Sequence, residues 1–402
     1  MKLGLSDISK RLSIKFDKSI TADNVRGFMR FGENNDYPQK VERIINSSIT
    51  AKSVANIYAK FLTGSGFEED INNVVVGKDS RGKDVTILRL LRHISTQISI
   101  HSGFYVHTNM TLEGKVTDVR PLPFKNCRFA EFDDLGYCSK VGVYDNWEKD
   151  PDNKKNGKTF DKTKIRWYHT FNNNDNVLAS QIKELGGIEK HKGQLYFGFI
   201  DDQYLYPLSP FDSVLMDCDT ENQVSIYKNN LTRNGMTDKT IIRVVEPSNK
   251  EEEEELANQV RNWQGSEGDN VLVLYDEIDP DSGELKTNGA FKVDSIPSSI
   301  NDKLFEGWQK ELSNNIRKAV KALPSILIDY EENKLGTTSG EAIIQAVNFY
   351  NSMTRDERSY LSECFNELFK KTAIKGLESV TNWNIKELRL YELDNIPEAA
   401  GN

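Results

Sequence analysis

No run of 18 apolar residues occurs in the 402-residue chain, so no segment reads as a membrane-spanning helix. The opening MKLGLSDISKRLSIKF has neither an apolar signal core nor a small-residue cleavage site. Cysteine is scarce. The 4 present, Cys127, Cys138, Cys218 and Cys364, lie far apart with no CxxC, which predicts reduced thiols in a cytosolic setting rather than a disulfide framework or a zinc site. None of the 5 histidines has a ligand spacing such as HExxH, and GxSxG, P-loop and GxGxxG motifs are all missing. No metal or cofactor is expected, and catalysis has no sequence support. Excess positive charge is lacking too: 52 Lys and Arg face 61 Asp and Glu, a formal net charge of −9. That argues against a dedicated nucleic-acid clamp, which is usually basic, but leaves room for a protein past which DNA slides without adhering.

What is present is a chain long enough for two or three domains, with a change of period along it. Residues 1–35 are polar and mixed in charge and read as an N-terminal arm. Asp36 is placed to cap a first helix over 36–48, with Pro38 in its first turn and Val41, Ile44 and Ile45 on its buried side. A second helix runs from Thr50 to Leu62 and ends at a GSGF turn, and a third spans 85–101. Over about 104–206 the period becomes two, which predicts a strand-rich block whose aromatics pack a sheet, interrupted by a polar loop at 149–162. A helix over 209–236 ends at Asn234-Gly235. KTIIRVVEP, NKEEEEELANQVRNW, DNVLVLYDEI and GAFKVDSI then predict a strand–helix–strand–strand unit over 239–295. Its glutamates favour the helix dipole in the first turns.

The stretch from Ser298 to Phe369 organises the rest. Leu304, Phe305, Trp308, Leu312, Ile316, Val320 and Leu323 form one helical stripe, with Lys303, Lys310, Arg317 and Lys321 on the opposite side. Pro324 is expected to end this helix at Leu323. The loop SILIDYEENKLG follows. Capping boxes at Thr338 with Glu341, and at Thr354 with Glu357, predict a long helix kinked near Ser352. A final strand is expected over 385–393.

This order of parts resembles bacteriophage portal proteins over roughly residues 30–372. NNDYPQKVERIINSSITAKSVANIYAKFLTGSGF (34–67) looks like the opening of several portals, YKNNLTRNGM (227–236) is similar to their stem-to-clip junction, and AVKALPSILIDYEENKLGTTSGEAI (319–343) to their stem-to-tunnel-loop passage. Many portals carry a Gly-Val-Pro-Pro-like sequence after the stem, where this chain has Ala322-Leu323-Pro324-Ser325. The resemblance implies an α+β fold: wing over 36–211, first stem helix 212–238, clip 239–295, second stem helix 296–324, tunnel loop 325–338 and kinked channel helix 339–372. A strand and tail over 373–402 leave little or no crown.

By the same resemblance, Lys303, Lys310, Arg317 and Lys321 would face neighbouring subunits or the channel. Asp329, Glu331, Glu332, Asn333 and Lys334 would sit at the narrowest point, near DNA. Glu251, Glu252, Glu253, Glu254, Glu255 and Trp263 would lie in the clip, where partners dock. The implied function is a homo-oligomeric ring, dodecameric in the family, at a capsid vertex of the virion, assembled in the host cytoplasm. Double-stranded DNA would be packaged and ejected through it. Its implied partners are terminase, the major capsid protein and a head-completion or adaptor protein, with no membrane and no chemistry of its own. Two other readings stay open: another virion structural or adaptor protein, and a soluble enzyme with a strand-rich pocket around His107, His169 and Asp133.

Overall fold

The computed structural model describes residues 18–23, 25–32, 34–147, 161–200, 204–234, 239–245, 271–276, 292–296, 302–328 and 340–389, with only the backbone path described within 231–306 and 340–341. The fold is α+β. The chain divides into two units, one made of Met1–Met216 with Ile316–Asn402, the other of Asp217–Asn315.

The first unit begins with a hairpin, β1 (Ile20–Asp23) against β2 (Phe28–Phe31), antiparallel in register. The sequence places these residues in the polar arm. They fold because Phe28, Met29 and Phe31 are buried, with Phe31 stacked on Tyr37 and Tyr206 at 4.5 and 4.8 Å. Asp23 closes the turn by accepting from the Arg26 N–H and pairing with Arg26 and Arg30. Helices α1 (Tyr37–Ser47) and α2 (Ile49–Thr63) follow where the apolar spacing places them. Asp36 does not cap α1; its carboxylate pairs with Lys40, one turn on, at 3.0 Å. Ser48 serves both helices: its N–H closes α1 on Ile44, and its hydroxyl caps α2 at Ala51. A short hairpin, β3 (Val75–Lys78) and β4 (Asp84–Thr86), leads into α3 (Ile87–His101), capped by the Thr86 hydroxyl.

The strand-rich block is a six-stranded sheet of β5 (Gly103–Met110), β6 (Val116–Leu122), β7 (Cys127–Phe129), β8 (Lys140–Val143), β9 (Arg166–Thr170) and β10 (Gln194–Phe199), in the order β6-β5-β10-β9-β8-β7. All neighbours are antiparallel except β9 and β10, which run parallel. Parallel strands need a crossover rather than a hairpin. That crossover is a helix the strand pattern hides, α4 (Asp175–Leu185). Its local signals are Asn174, whose side chain accepts from the Asn176 N–H, and Gly186 in left-handed conformation at its end. Arg128 on β7 is fully buried with no carboxylate partner among the described residues. Its guanidinium donates to Asn35 Oδ1 (2.6 Å) and O (2.9 Å), Cys127 O (2.8 Å), Lys125 O and Gln39 Oε1 (each 3.2 Å). It thus ties the β2–α1 junction to the sheet.

Helix α5 (Leu215–Asn234) enters the second unit, as the apolar spacing and Asn234-Gly235 suggest. There β11 (Lys239–Val245) sits between β12 (Val271–Asp276), parallel to it, and β13 (Lys292–Ile296), antiparallel. The three strands fall where the sequence places them. The segment 246–270, with the expected glutamate-rich helix, lies outside the described residues. Helix α6 (Asp302–Ala319) returns the chain to the first unit, and within the second unit Lys228 Nζ on α5 donates to Gln309 Oε1 on α6 at 3.1 Å.

In the first unit, α6 stops at Ala319, four residues short of Leu323. Lys321 and Ala322 are both left-handed, at φ 54° and 49°, so the helix ends before Pro324 constrains it. Of its expected apolar stripe, Leu312, Ile316, Val320 and Leu323 are buried, whereas Trp308 is 45% exposed. The kinked helix is two helices, α7 (Gly340–Met353) and α8 (Arg355–Phe369), parted at Thr354. Beyond α8, of the strand expected over 385–393, the described residues show an isolated bridge between Ile385 and Phe67, and 390–393 lie outside the described residues. Trp383 there stacks on Phe369 and Phe365 and meets Phe67 edge-on. All four cysteines are free.

Candidate functional site

Of the described sequence-nominated residues, Lys321 lies where the end of α6 packs against the α7–α8 junction. Tyr350 on α7 is buried and its hydroxyl donates to Val320 O at 3.4 Å. Glu357, in the first turn of α8, is 3% exposed and pairs with Lys321, itself 40% exposed. Glu357 Oε2 has no hydrogen-bond partner among the described residues. Burial raises the hydroxyl pKa of Tyr58 and Tyr350, and the nearby Glu357 charge adds to the rise. Both remain neutral donors.

The expected capping box at Thr354 and Glu357 is not made. Thr354 takes φ −108° and ψ 10° and makes no side-chain cap. Its hydroxyl donates back to Tyr350 O (2.9 Å) and Asn351 O (3.3 Å), the back-bonding that bends helices. Two stronger demands explain the change: Arg358 Nη1 donates to the same hydroxyl at 2.7 Å, and Glu357 is held by Lys321. Arg358 also donates to Phe61 O, to Asn351 and to Glu387, so one buried guanidinium joins α2, the α7–α8 break and the C-terminal segment. Burial lowers its pKa, while Glu387 and Glu357 offset part of that.

Lys310 is exposed, Arg317 is half-buried, and Lys321 turns inward to Glu357 rather than lying free on the helix face. For Lys303 only the backbone is described. The residues Asp329, Glu331, Glu332, Asn333 and Lys334, the glutamates 251–255 and Trp263 lie outside the described residues. The outer face of α7 carries Gln345, Asn348 and Ser352, all exposed and uncharged, with exposed Ile344 and Phe349 beside them. Sequence reasoning missed Arg358 and the inward turn of Lys321, since neither is visible without knowing what packs across from each.

Elsewhere, His107 and His169 are committed: one ring nitrogen meets Lys192 O at 2.6 Å, the other Glu184 Oε2 at 3.1 Å. Asp133 closes its own turn, accepting from Leu135 and Tyr137 N–H. Among the described residues no group of three or more His, Cys, Asp or Glu side chains could hold a metal ion, and no helix is long and apolar enough to cross a membrane.

No family model and no curated protein matches the chain. Among solved structures it is similar to a chain in the virion of a native gene transfer agent particle, at 13% identity and TM-score 0.49, covering 89% of this chain and 85% of that one. A chain from the neck of the native particle, computed with C12 symmetry, gives 12% identity and TM-score 0.47, covering 83% and 82%. An HK97 family phage portal protein from Corynebacterium diphtheriae gives 9% identity and TM-score 0.34, covering 77% and 83%. These neighbours are virion components and a phage portal protein, the family that the sequence resembles.

Proposed function

We propose that the chain is the subunit of a portal ring, a channel at a capsid vertex through which double-stranded DNA is packaged and later ejected. The observation that carries this is the order of parts. A small three-stranded unit is inserted between two helices, and the second helix leads through a left-handed turn to Pro324, with a broken helix following over 340–369. That order supports the wing, stem, clip, stem, tunnel-loop and channel-helix assignment made on sequence grounds. Helix α6 alone, of 18 residues, spans about 27 Å at 1.5 Å per residue, a wall segment of useful height beside a duplex.

The physics of such a conduit favours weak contact. Duplex DNA carries one negative charge per roughly 1.7 Å, and a wall of lysines would hold it by releasing its counterions. An uncharged face such as that of Gln345, Asn348 and Ser352 offers hydrogen bonds without that grip. In this reading Lys321 serves to seat the loop, and the charges at 329–334 meet the DNA. Hydrolysis of ATP belongs to a partner terminase, which docks on the clip through its glutamates and Trp263. The ring also contacts the major capsid protein and a head-completion protein.

Negative-stain imaging and mass photometry of the full chain test the ring directly: closed rings are expected, and monomers under all salt conditions would overturn the reading. Replacing residues 330–335 with a Gly-Ser linker tests the constriction. It should leave rings and thermal stability near normal and lower nuclease-protected DNA per capsid. Unchanged packaging and retention would remove the loop from the mechanism. Exchanging Glu251 through Glu255 for glutamine should weaken terminase binding while rings persist, and unchanged binding would remove the docking assignment.

A further inference from the structure

Strands β9 and β10 pair over only two residues, Gln194 with His169 and Leu195 with Thr170, and then part. On that edge of β10, Leu195 O still accepts from the Phe171 N–H at 2.8 Å. Four residues on, the Phe199 N–H takes the Tyr360 hydroxyl of α8 at 2.9 Å. Backbone groups alternate between the two edges of a strand, so Phe197 turns its N–H and C=O to the same side as Leu195 and Phe199. Among the described residues neither group of Phe197 meets a partner there.

The gap left by the parting strands, closed over by α8, is a recess of about 410 Å³. Pockets for small ligands begin near this size. Phe129, Phe171, Tyr196, Phe197 and Tyr360 form its aromatic lining, and Glu363 and Glu367, one turn apart on α8, bring the charge. No Lys, Arg or His lines it among the described residues. Glu367 is fixed by the Tyr196 hydroxyl at 2.8 Å, while Glu363 makes no hydrogen bond or ion pair among the described residues. Burial, with Cys364 and Glu367 nearby, raises the Tyr196 pKa, and burial raises that of Tyr360 as well, so both phenols stay neutral and the two carboxylates set the sign of the recess.

We propose that this recess binds an organic cation, an alkylguanidinium or alkylammonium group. Ring faces attract a cation through their quadrupole. The carboxylates neutralise it, and the open Phe197 carbonyl accepts one of its N–H bonds. An anion would meet two like charges, and a neutral hydrocarbon would desolvate the carboxylates without pairing them. Guanidinium suits the site better than ammonium, because it stacks on rings and donates in a planar fork. The cation is supplied either by a free small molecule or by an arginine or lysine side chain of a second copy of the chain. The site stands apart from the ring proposal.

The test uses the full chain and isothermal titration with n-butylguanidinium and n-butylammonium, and with 1-butanol as the neutral isostere. Saturable binding of both cations is expected, with guanidinium tighter and butanol without effect. Glu363→Gln should weaken binding ~10-fold or more, as for the loss of one charge-assisted contact. It should leave the melting curve unchanged, since Glu363 makes no hydrogen bond or ion pair among the described residues. Phe171→Leu should weaken it several-fold through the lost ring face. Repeating the titration on dispersed and assembled protein separates the sources. Equal binding means a free cation, and binding to dispersed protein alone means that a neighbouring copy's side chain fills the recess. Absence of binding to dispersed protein, butanol binding as tight as the cations, or a Glu363→Gln variant binding like the parent each overturns the proposal.

Discussion

Replacing Lys321 with methionine separates two roles for this residue, because a lysine on an open helix face and a lysine seating a loop respond differently. Glu357 is 3% exposed and has Lys321 as its cation, while Lys321 is 40% exposed. Removing one member of a fully buried pair costs roughly 3–5 kcal/mol, because the other charge is left unpaired in a poor solvent. An exposed pair is worth only about 0–1 kcal/mol. The geometry here lies between these, and water reaching the lysine side weakens the effect of burial, so Lys321→Met should cost about 2 kcal/mol. Glu357→Gln should cost less, about 1 kcal/mol, since the stranded lysine can turn to water while the buried amide carries no charge. The double variant should therefore be more stable than Lys321→Met alone. Lys310→Met, at an exposed position, should fall within about 0.5 kcal/mol of the parent. Urea unfolding followed by tryptophan fluorescence reads all four. If Lys321→Met matched Lys310→Met, or if Glu357→Gln cost more than Lys321→Met, the seating role of the pair would be wrong.

Two further perturbations test the first unit. Arg128→Met should cost about 3–4 kcal/mol in the same assay, because it leaves the backbone carbonyls of Asn35 and Cys127 without this donor, and Arg128→Lys should recover little of it, lacking the planar fork. His101 is buried against Phe124, ring centroids 4.7 Å apart, and burial, aided by the charges of Lys125 and Arg128, lowers its pKa to about 3. The unfolded chain therefore binds a proton below about 6.5 that the folded one refuses, so His101 favours folding fully above that pH and loses stability as pH falls toward 3, by up to about 1.4 kcal/mol per pH unit. His101→Phe should flatten the decline between pH 6 and pH 4 in a series of urea curves; an unaltered slope would show that other groups govern it.

What the sequence determined by itself is the local and ordered part of the protein. The existence and approximate lengths of α1, α2 and α3 follow from apolar spacing, while the hydroxyls of Ser48 and Thr86 fix the starts of α2 and α3 one or two residues from where that spacing puts them. The strands β11, β12 and β13 follow from period-two runs, and so does their place between two helices. Only the tertiary structure decided matters of partnership. The hairpin at 20–31 folds because Tyr37 and Tyr206 stack on Phe31, which no local pattern shows. Helix α4 exists because β9 and β10 run parallel and need a crossover. Thr354 and Glu357 carry the spacing of a capping box, yet Arg358 and Lys321 claim those groups first. A capping box is worth about 1 kcal/mol, whereas a buried guanidinium or carboxylate left unpaired costs several, so pairing the buried charges set the geometry at the base of the loop.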